Sequence, residues 1–220
     1  MIMEKNFTKR PQCYLLSLFI LFFAELKSVK NMKKIVIFAS GSGTNAENII
    51  KHFKNTNLGA VVSVFTNNPK AYVIERAKNF QVPTEVFTKD ELNTGKVLQK
   101  LNILQPDLIV LAGFLLKFPE DIVAQYPDKI INVHPALLPK YGGKGMYGMN
   151  VHKAIVQNKE KETGITIHYV NENYDEGNII FQKKVVVLVT DTPEVVAEKI
   201  HELEQKYFPA VVENLLTSNL

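Results

Sequence analysis

From Lys33 onward, short β-branched runs alternate with longer stretches in which apolar residues recur every three or four positions. That alternation predicts repeated βα units around a largely parallel sheet. Strands are expected at 35–39, 61–66, 84–87, 108–111 and 130–134, with helices between them at 45–54, 72–79, 92–104 and 119–125. The run Leu108-Ile109-Val110-Leu111 has no polar alternation, which marks a central strand covered on both faces. After His134 the rhythm changes. A loop rich in proline and glycine leads to a short helix at 151–157, then to two strand-like runs at 163–169 and 179–187 separated by a polar turn. Such a pair is expected to add to the sheet in antiparallel fashion. Thr192-Pro193-Glu194 opens a closing helix, with Thr192 as N-cap, Pro193 at the first helical position and Glu194 favoured by the helix dipole.

At 220 residues the chain is long enough for one full-sized domain with a real core. The net charge of +4 invites a nucleic-acid reading until its origin is located. Residues 1–31 hold five basic and two acidic side chains, which leaves 21 against 20 in the rest. The body is therefore nearly neutral, and no nucleic-acid partner is expected. The single cysteine, Cys13, also lies in the leading segment, so no disulfide or Cys-based metal site is expected and a reducing, cytoplasmic compartment fits.

That leading segment differs from the remainder. Lys5, Lys9 and Arg10 precede the apolar run YLLSLFILFFA at 14–24, the order found in a signal peptide, but eleven residues are too few to span a bilayer. The competing reading places the true start at Met32, directly before the first strand, and is preferred because the globular pattern begins there without a linker. Residues 1–31 are thus expected to be an extension, and residues 32–220 the functional domain, with no membrane partner.

Three features carry candidate chemistry. Ser40-Gly41-Ser42-Gly43-Thr44-Asn45-Ala46 joins the first strand to the first helix, where glycines allow close approach and free N–H groups favour an anion. The loop reads equally well as a phosphate site or as a tight turn. Gly41, Gly43 and Ala46 also satisfy a dinucleotide fingerprint, yet the second strand ends Thr66-Asn67-Asn68-Pro69 without the acid that ribose recognition requires. Asn132 and His134, two apart on one strand, project from one face at its carboxyl end. An amide donor beside an imidazole suits an oxyanion forming on a carbonyl carbon. Asp175 sits in a polar turn, where aspartates are common for conformational reasons alone. His52, His152, His168 and His201 lack such placement, and no ligand spacing suggests a metal.

Taken together, SGSGTN at 40–45, LAGF at 111–114, INVHPALLPKYGG at 131–143, HKAI at 152–155, ETGITIHYV at 162–170, YDEGNII at 174–180 and LEQKYFP at 203–209 resemble the phosphoribosylglycinamide formyltransferases. The resemblance implies an α/β, Rossmann-like, mostly parallel sheet with helices on both faces and an antiparallel C-terminal addition. It implies formyl transfer from 10-formyltetrahydrofolate, as co-substrate, to the amine of glycinamide ribonucleotide, without a metal, by a monomer or homodimer. It implies catalytic roles for Asn132, His134 and Asp175, and nucleotide contacts from Gly43, Thr44, Asn45 and Glu204. The folate pocket it implies is walled by Leu115, Leu116, Lys117, Phe118 and the stretch 171–175, with Asn132 and the basic Lys89 also in contact. Two stretches depart from the family pattern: Gly142-Gly143-Lys144-Gly145-Met146-Tyr147, and a shortened segment after Phe87, which leaves Lys89 as the nearest basic candidate. Related formyl-transfer enzymes acting on methionyl-tRNA, or hydrolysing the folate, normally carry an added RNA-binding or regulatory domain. A non-catalytic nucleotide-binding module is disfavoured by the intact Asn132, His134 and Asp175.

Overall fold

The computed structural model describes residues 32–218. The expected extension at 1–31, with Cys13, lies outside the described residues. In chain order the elements are β1 (Lys33–Phe38), α1 (Thr44–Lys54), β2 (Gly59–Thr66), α2 (Val73–Asn79), β3 (Thr84–Val86), α3 (Lys89–Asn93), α4 (Lys96–Leu104), β4 (Leu108–Leu111), α5 (Glu120–Gln125), β5 (Ile130–His134), α6 (Met149–Gln157), β6 (Glu162–Tyr169), β7 (Ile179–Val186) and α7 (Pro193–Thr217).

The strands form one seven-stranded sheet in the order β3-β2-β1-β4-β5-β6-β7. β1 to β5 pair in parallel, while β6 is antiparallel to both β5 and β7. Successive residues of a strand face opposite sides, and the burial follows that rule. Ile35 and Ile37 of β1 join Leu108 and Val110 of β4 on one face, under α1 and α7. Val36 and Phe38 join Ile109 and Leu111 on the other, where Phe38 packs edge-on to Phe118 at 5.0 Å and stacks on Phe65 at 4.9 Å. β4 is buried along its whole length, as its unbroken apolar run predicts. A third cluster, including Ala136, Val151, Ile165 and Ile200, fills the space between β6, α6 and α7.

Thr192 does cap the closing helix, accepting from the Val195 N–H, with Pro193 in the first turn. The single helix expected at 92–104 is instead two. Thr88 and Glu91 form a reciprocal capping box that starts α3, and Gly95 at φ 81 then turns the chain before α4. The positive φ is what glycine permits at little cost, so the apolar period survives across a break that periodicity alone hides.

Candidate active site at the carboxyl ends of the strands

In the parallel half of the sheet the chain leaves β1 toward β2 on one side and reaches β4 on the other, so a crevice opens between the loops that follow β1 and β4. Ser40 ties those two loops together: its hydroxyl donates to Asn67 Oδ1 at 2.7 Å and accepts from the Leu115 N–H at 3.0 Å. A cavity of about 730 Å³ occupies this crevice and continues past the end of β5. Its lining includes the glycine loop, residues 111–118, both polar residues of β5, residues 143–148, and Glu204 on α7.

At the glycine-loop end, Gly43 begins α1 at φ 75 with no side chain capping the exposed N–H groups. A Cβ there would lie 2.3 Å from Val73 Cγ2, so glycine is required on both conformational and packing grounds. Asn45 donates through Nδ2 to Glu204 Oε2 at 2.8 Å and accepts at Oδ1 from Gln205 Nε2 at 2.9 Å. Its side chain is thereby committed to holding α7 against the loop. One turn earlier on α7, His201 Nδ1 lies 3.6 Å from Glu204, whose hydrogen bond raises the imidazole above its ordinary range.

At the other end, β5 carries Asn132 and His134 toward the cavity, and the latter is only 3% exposed. The turn after β6 brings in Asp175, which adopts φ 57. Gly177 makes that turn possible, because any Cβ there would fall 1.7 Å from the Tyr169 carbonyl oxygen. Asp175 Oδ2 lies 3.5 Å from His134 Nδ1 and accepts from the Gly143 N–H at 2.9 Å. Its Oδ1 lies 3.5 Å from Asn132 Nδ2 and 3.6 Å from His168 Nε2. Burial alone would raise the carboxyl, but the His168 and His134 rings, when charged, and the Gly143 N–H outweigh it and hold Asp175 below the usual carboxylate range. Burial pushes His134 below the usual imidazole range, with Asp175 and the Tyr141 carbonyl opposing.

The ring tautomers follow from their partners. His134 Nε2 is 2.7 Å from the Tyr141 carbonyl, an acceptor only, so this nitrogen carries the proton and Nδ1 faces Asp175 and the cavity. His168 Nδ1 donates to the Tyr169 carbonyl at 2.8 Å, which leaves Nε2 to accept from Asn132 Nδ2 at 3.1 Å.

The residues expected from sequence are brought together with one exception. Asn132, His134, Asp175, Gly43, Thr44, Asn45, Glu204, Leu115, Leu116, Lys117 and Phe118 all line the cavity. Phe118 is also a core residue, and Lys117 turns its ammonium to Glu120 at 3.4 Å. Lys89 does not line it. It is exposed on the first turn of α3, which follows the outermost strand β3, two strands away from the crevice beside β1. His152, His168 and His201, which the sequence pattern does not single out, also line the cavity. His201 and Glu204 are three apart on one helix, a spacing that would have paired them. His168 is legible only once β6 is known to lie beside β5, where its register partner is Asn132.

The formyl transferase family model matches residues 33–212. The chain belongs to the formyl transferase family. Among its relatives, the phosphoribosylglycinamide formyltransferase of Bacillus subtilis is 36% identical over 194 residues, covering 86% of this chain and 97% of that protein. The chloroplastic enzyme of the same name from Arabidopsis thaliana is 38% identical over 187 residues. That match covers 82% of this chain but 64% of the plant protein, so the chain spans under two thirds of the plant relative's length. Among solved structures of the family, the phosphoribosylglycinamide formyltransferase of Bacillus halodurans superposes with a TM-score of 0.77 at 35% identity, covering 84% of this chain and 96% of that one. Glycinamide ribonucleotide transformylase 1 of Geobacillus kaustophilus gives 0.77 at 34%, covering 84% and 99%. The seven-stranded mixed sheet is thus the formyl transferase fold, and the cavity described above lies within the span that the family model matches.

Proposed function

We propose that the chain transfers a formyl group from 10-formyltetrahydrofolate to the primary amine of glycinamide ribonucleotide, yielding formylglycinamide ribonucleotide and tetrahydrofolate in purine biosynthesis. The observation that carries this reading is the convergence of Asn132, His134 and Asp175 at one end of a cavity whose other end is the uncapped start of α1. A nucleotide phosphate suits the glycine loop and helix N-terminus, and Glu204 beside Asn45 offers an acceptor for ribose hydroxyls. The apolar wall formed by Leu115, Leu116 and Phe118 suits the flat ring system of a folate.

In this reading the substrate amine attacks the formyl carbon, a C–N bond forms, and negative charge gathers on the formyl oxygen. Asn132 Nδ2 and His134 Nδ1 donate to that oxygen. Asn132 can do so because its contact to Asp175, at 3.5 Å, is long and replaceable, whereas His168 holds the amide in place. His134 donates through Nδ1 once that nitrogen gains a proton, a charge that burial opposes and the Asp175 carboxylate favours. Asp175 takes the proton lost by the amine and returns it, through His134, to N10 of the folate as the bond from carbon to N10 breaks. Every group invoked comes from one chain, so the reading is compatible with a monomer or a homodimer. The near-neutral domain and a chain whose single cysteine allows no intramolecular disulfide favour a cytoplasmic setting. Among the described residues no helix is long and apolar enough to cross a membrane.

The test is folate absorbance on mixing purified residues 32–220 with both substrates. Turnover that depends on the nucleotide supports the assignment and makes residues 1–31 dispensable. Nucleotide-independent release of formate would replace it with a hydrolase, and no turnover in the full chain would remove it.

A further inference from the structure

Tyr141 occupies a costly backbone conformation for a residue with a Cβ, at φ 58, although two glycines that would adopt it freely follow immediately. Something in the side chain must offset that cost. The ring packs against the cluster between β6, α6 and α7. Its hydroxyl donates to Glu160 Oε1 at 2.9 Å and accepts from Asn158 Nδ2 at 2.9 Å. Both partners lie in the turn joining α6 to β6, which is itself closed by backbone bonds from Asn158 to Ala154 and from Glu160 to Ile155. Lys140 reinforces the anchor by reaching Glu160 Oε1 at 3.2 Å.

The main chain of the same residue does something different. Its carbonyl accepts from His134 Nε2 at 2.7 Å, the shortest polar contact of that ring. Two residues later the Gly143 N–H reaches Asp175 at 2.9 Å. A three-residue clip therefore grips both members of the His134–Asp175 pair, and its near end is held by a phenol whose partners lie 17 and 19 residues away in sequence.

We propose that Tyr141 is a positioning residue, whose hydroxyl, through Asn158 and Glu160, holds its own carbonyl on His134 Nε2 and so reserves Nδ1 for the reacting atoms. The proposal rests on the catalytic role given to His134 above. Without the hydroxyl the backbone relaxes away from positive φ, the carbonyl leaves Nε2, and the imidazole loses the partner that selects its tautomer. The other charged and titratable groups near the ring are Asp175, His168, Glu204 and His152, and none of them is an acceptor for Nε2 in this structure.

The experiment is Tyr141→Phe, which keeps the packed ring and removes one oxygen. The ¹⁵N chemical shifts of the His134 imidazole report the tautomer directly. The native ring is expected to show a single neutral tautomer protonated at Nε2, and the variant a mixture. In the formyl-transfer assay kcat is expected to fall about five- to tenfold, the size of one lost hydrogen bond, with both KM values within about twofold. Glu160→Gln, which keeps an acceptor for the phenol, should retain the native tautomer, and Glu160→Ala should resemble Tyr141→Phe. A folded Tyr141→Phe protein with the native tautomer overturns the proposal. If that variant does not fold, the native tautomer in Glu160→Ala overturns it instead. Because the tautomer is read without substrates, failure of the formyl-transfer reading would show separately, as absence of turnover in the unaltered chain.

Discussion

Asn132 and His168 are register partners across β5 and β6, and their side chains meet at 3.1 Å with the imidazole as acceptor. The direction of that bond matters, because an amide held by one of its hydrogens presents the other at a defined angle. His168→Ala should leave the fold intact and reduce kcat about tenfold, with smaller changes in KM, as expected when one orienting hydrogen bond is lost. A variant with native kcat would show that Asn132 needs no such support.

Direct removal of the proposed oxygen-stabilising donors is predicted to be more severe. Asn132→Ala and His134→Ala should each lower kcat about a hundred- to thousandfold, the usual loss for one donor of an oxyanion site. Steady-state kinetics with both substrates saturating reads this, and more than half the native turnover in either variant would remove the assigned role.

Acid should destabilise the domain in two stages. The imidazoles of His134 and His152 are depressed by burial, so the folded state binds fewer protons than the unfolded chain once the pH falls below the ordinary histidine value of 6.5. Their contribution is present above that value and is lost as the pH falls toward the folded pKa. Asp175, also depressed, behaves likewise below its ordinary 3.8. His201 is raised and works in the opposite sense, contributing stability below 6.5 that is lost as pH rises through its folded pKa, but its side chain is 45% exposed and solvent screens it. Urea midpoints are expected to fall between pH 7 and pH 5, and to fall less in His152→Gln. An equal fall in that variant would place the acid sensitivity elsewhere.

Gly177→Ala is expected to abolish the proposed activity without touching a side chain assigned to it. The added methyl would meet the Tyr169 carbonyl at 1.7 Å, backbone that cannot yield without releasing the turn. Asp175 would then leave His134, so kcat should fall toward that of Asp175→Ala while the sheet melts at a similar temperature. Retained activity would mean that the turn has room not evident in its geometry.

Gly43→Ala tests the opposite end of the cavity. With a positive φ and Val73 Cγ2 2.3 Å from the new methyl, the loop must move, and the nucleotide KM is predicted to rise at least about tenfold. The folate KM should change little, since its proposed wall follows β4 rather than β1.

How much of this was legible beforehand depends on the range of the interactions. All seven strands and the buried nature of β4 follow from local patterning, because alternation and unbroken apolar runs are properties of neighbouring residues. So do Asn132 and His134, two apart on one strand, and the Thr192 cap. Asp175 was not readable from spacing, since its meaning arises when the turn after β6 folds over the end of β5, and only the family resemblance singled it out. His168 and His152 were passed over for the same reason: a histidine on a strand or helix looks ordinary until its neighbour is known. Lys89 was placed by counting along a segment of altered length, and the capping box at Thr88 sends it to the outer edge of the sheet instead. The break at Gly95 was hidden because the apolar period continues on both sides of it.

The bonds from Asn45 to Glu204 and Gln205 join positions 159 and 160 residues apart. A ribosome makes the glycine loop among the first parts of the domain and its partners among the last. While the chain is still being synthesised, the cavity therefore has a floor and no far wall, and the sheet face that the final helix covers is bare. Competence arrives with the final helix, so a chain cut short near its end is expected to be inert rather than misdirected.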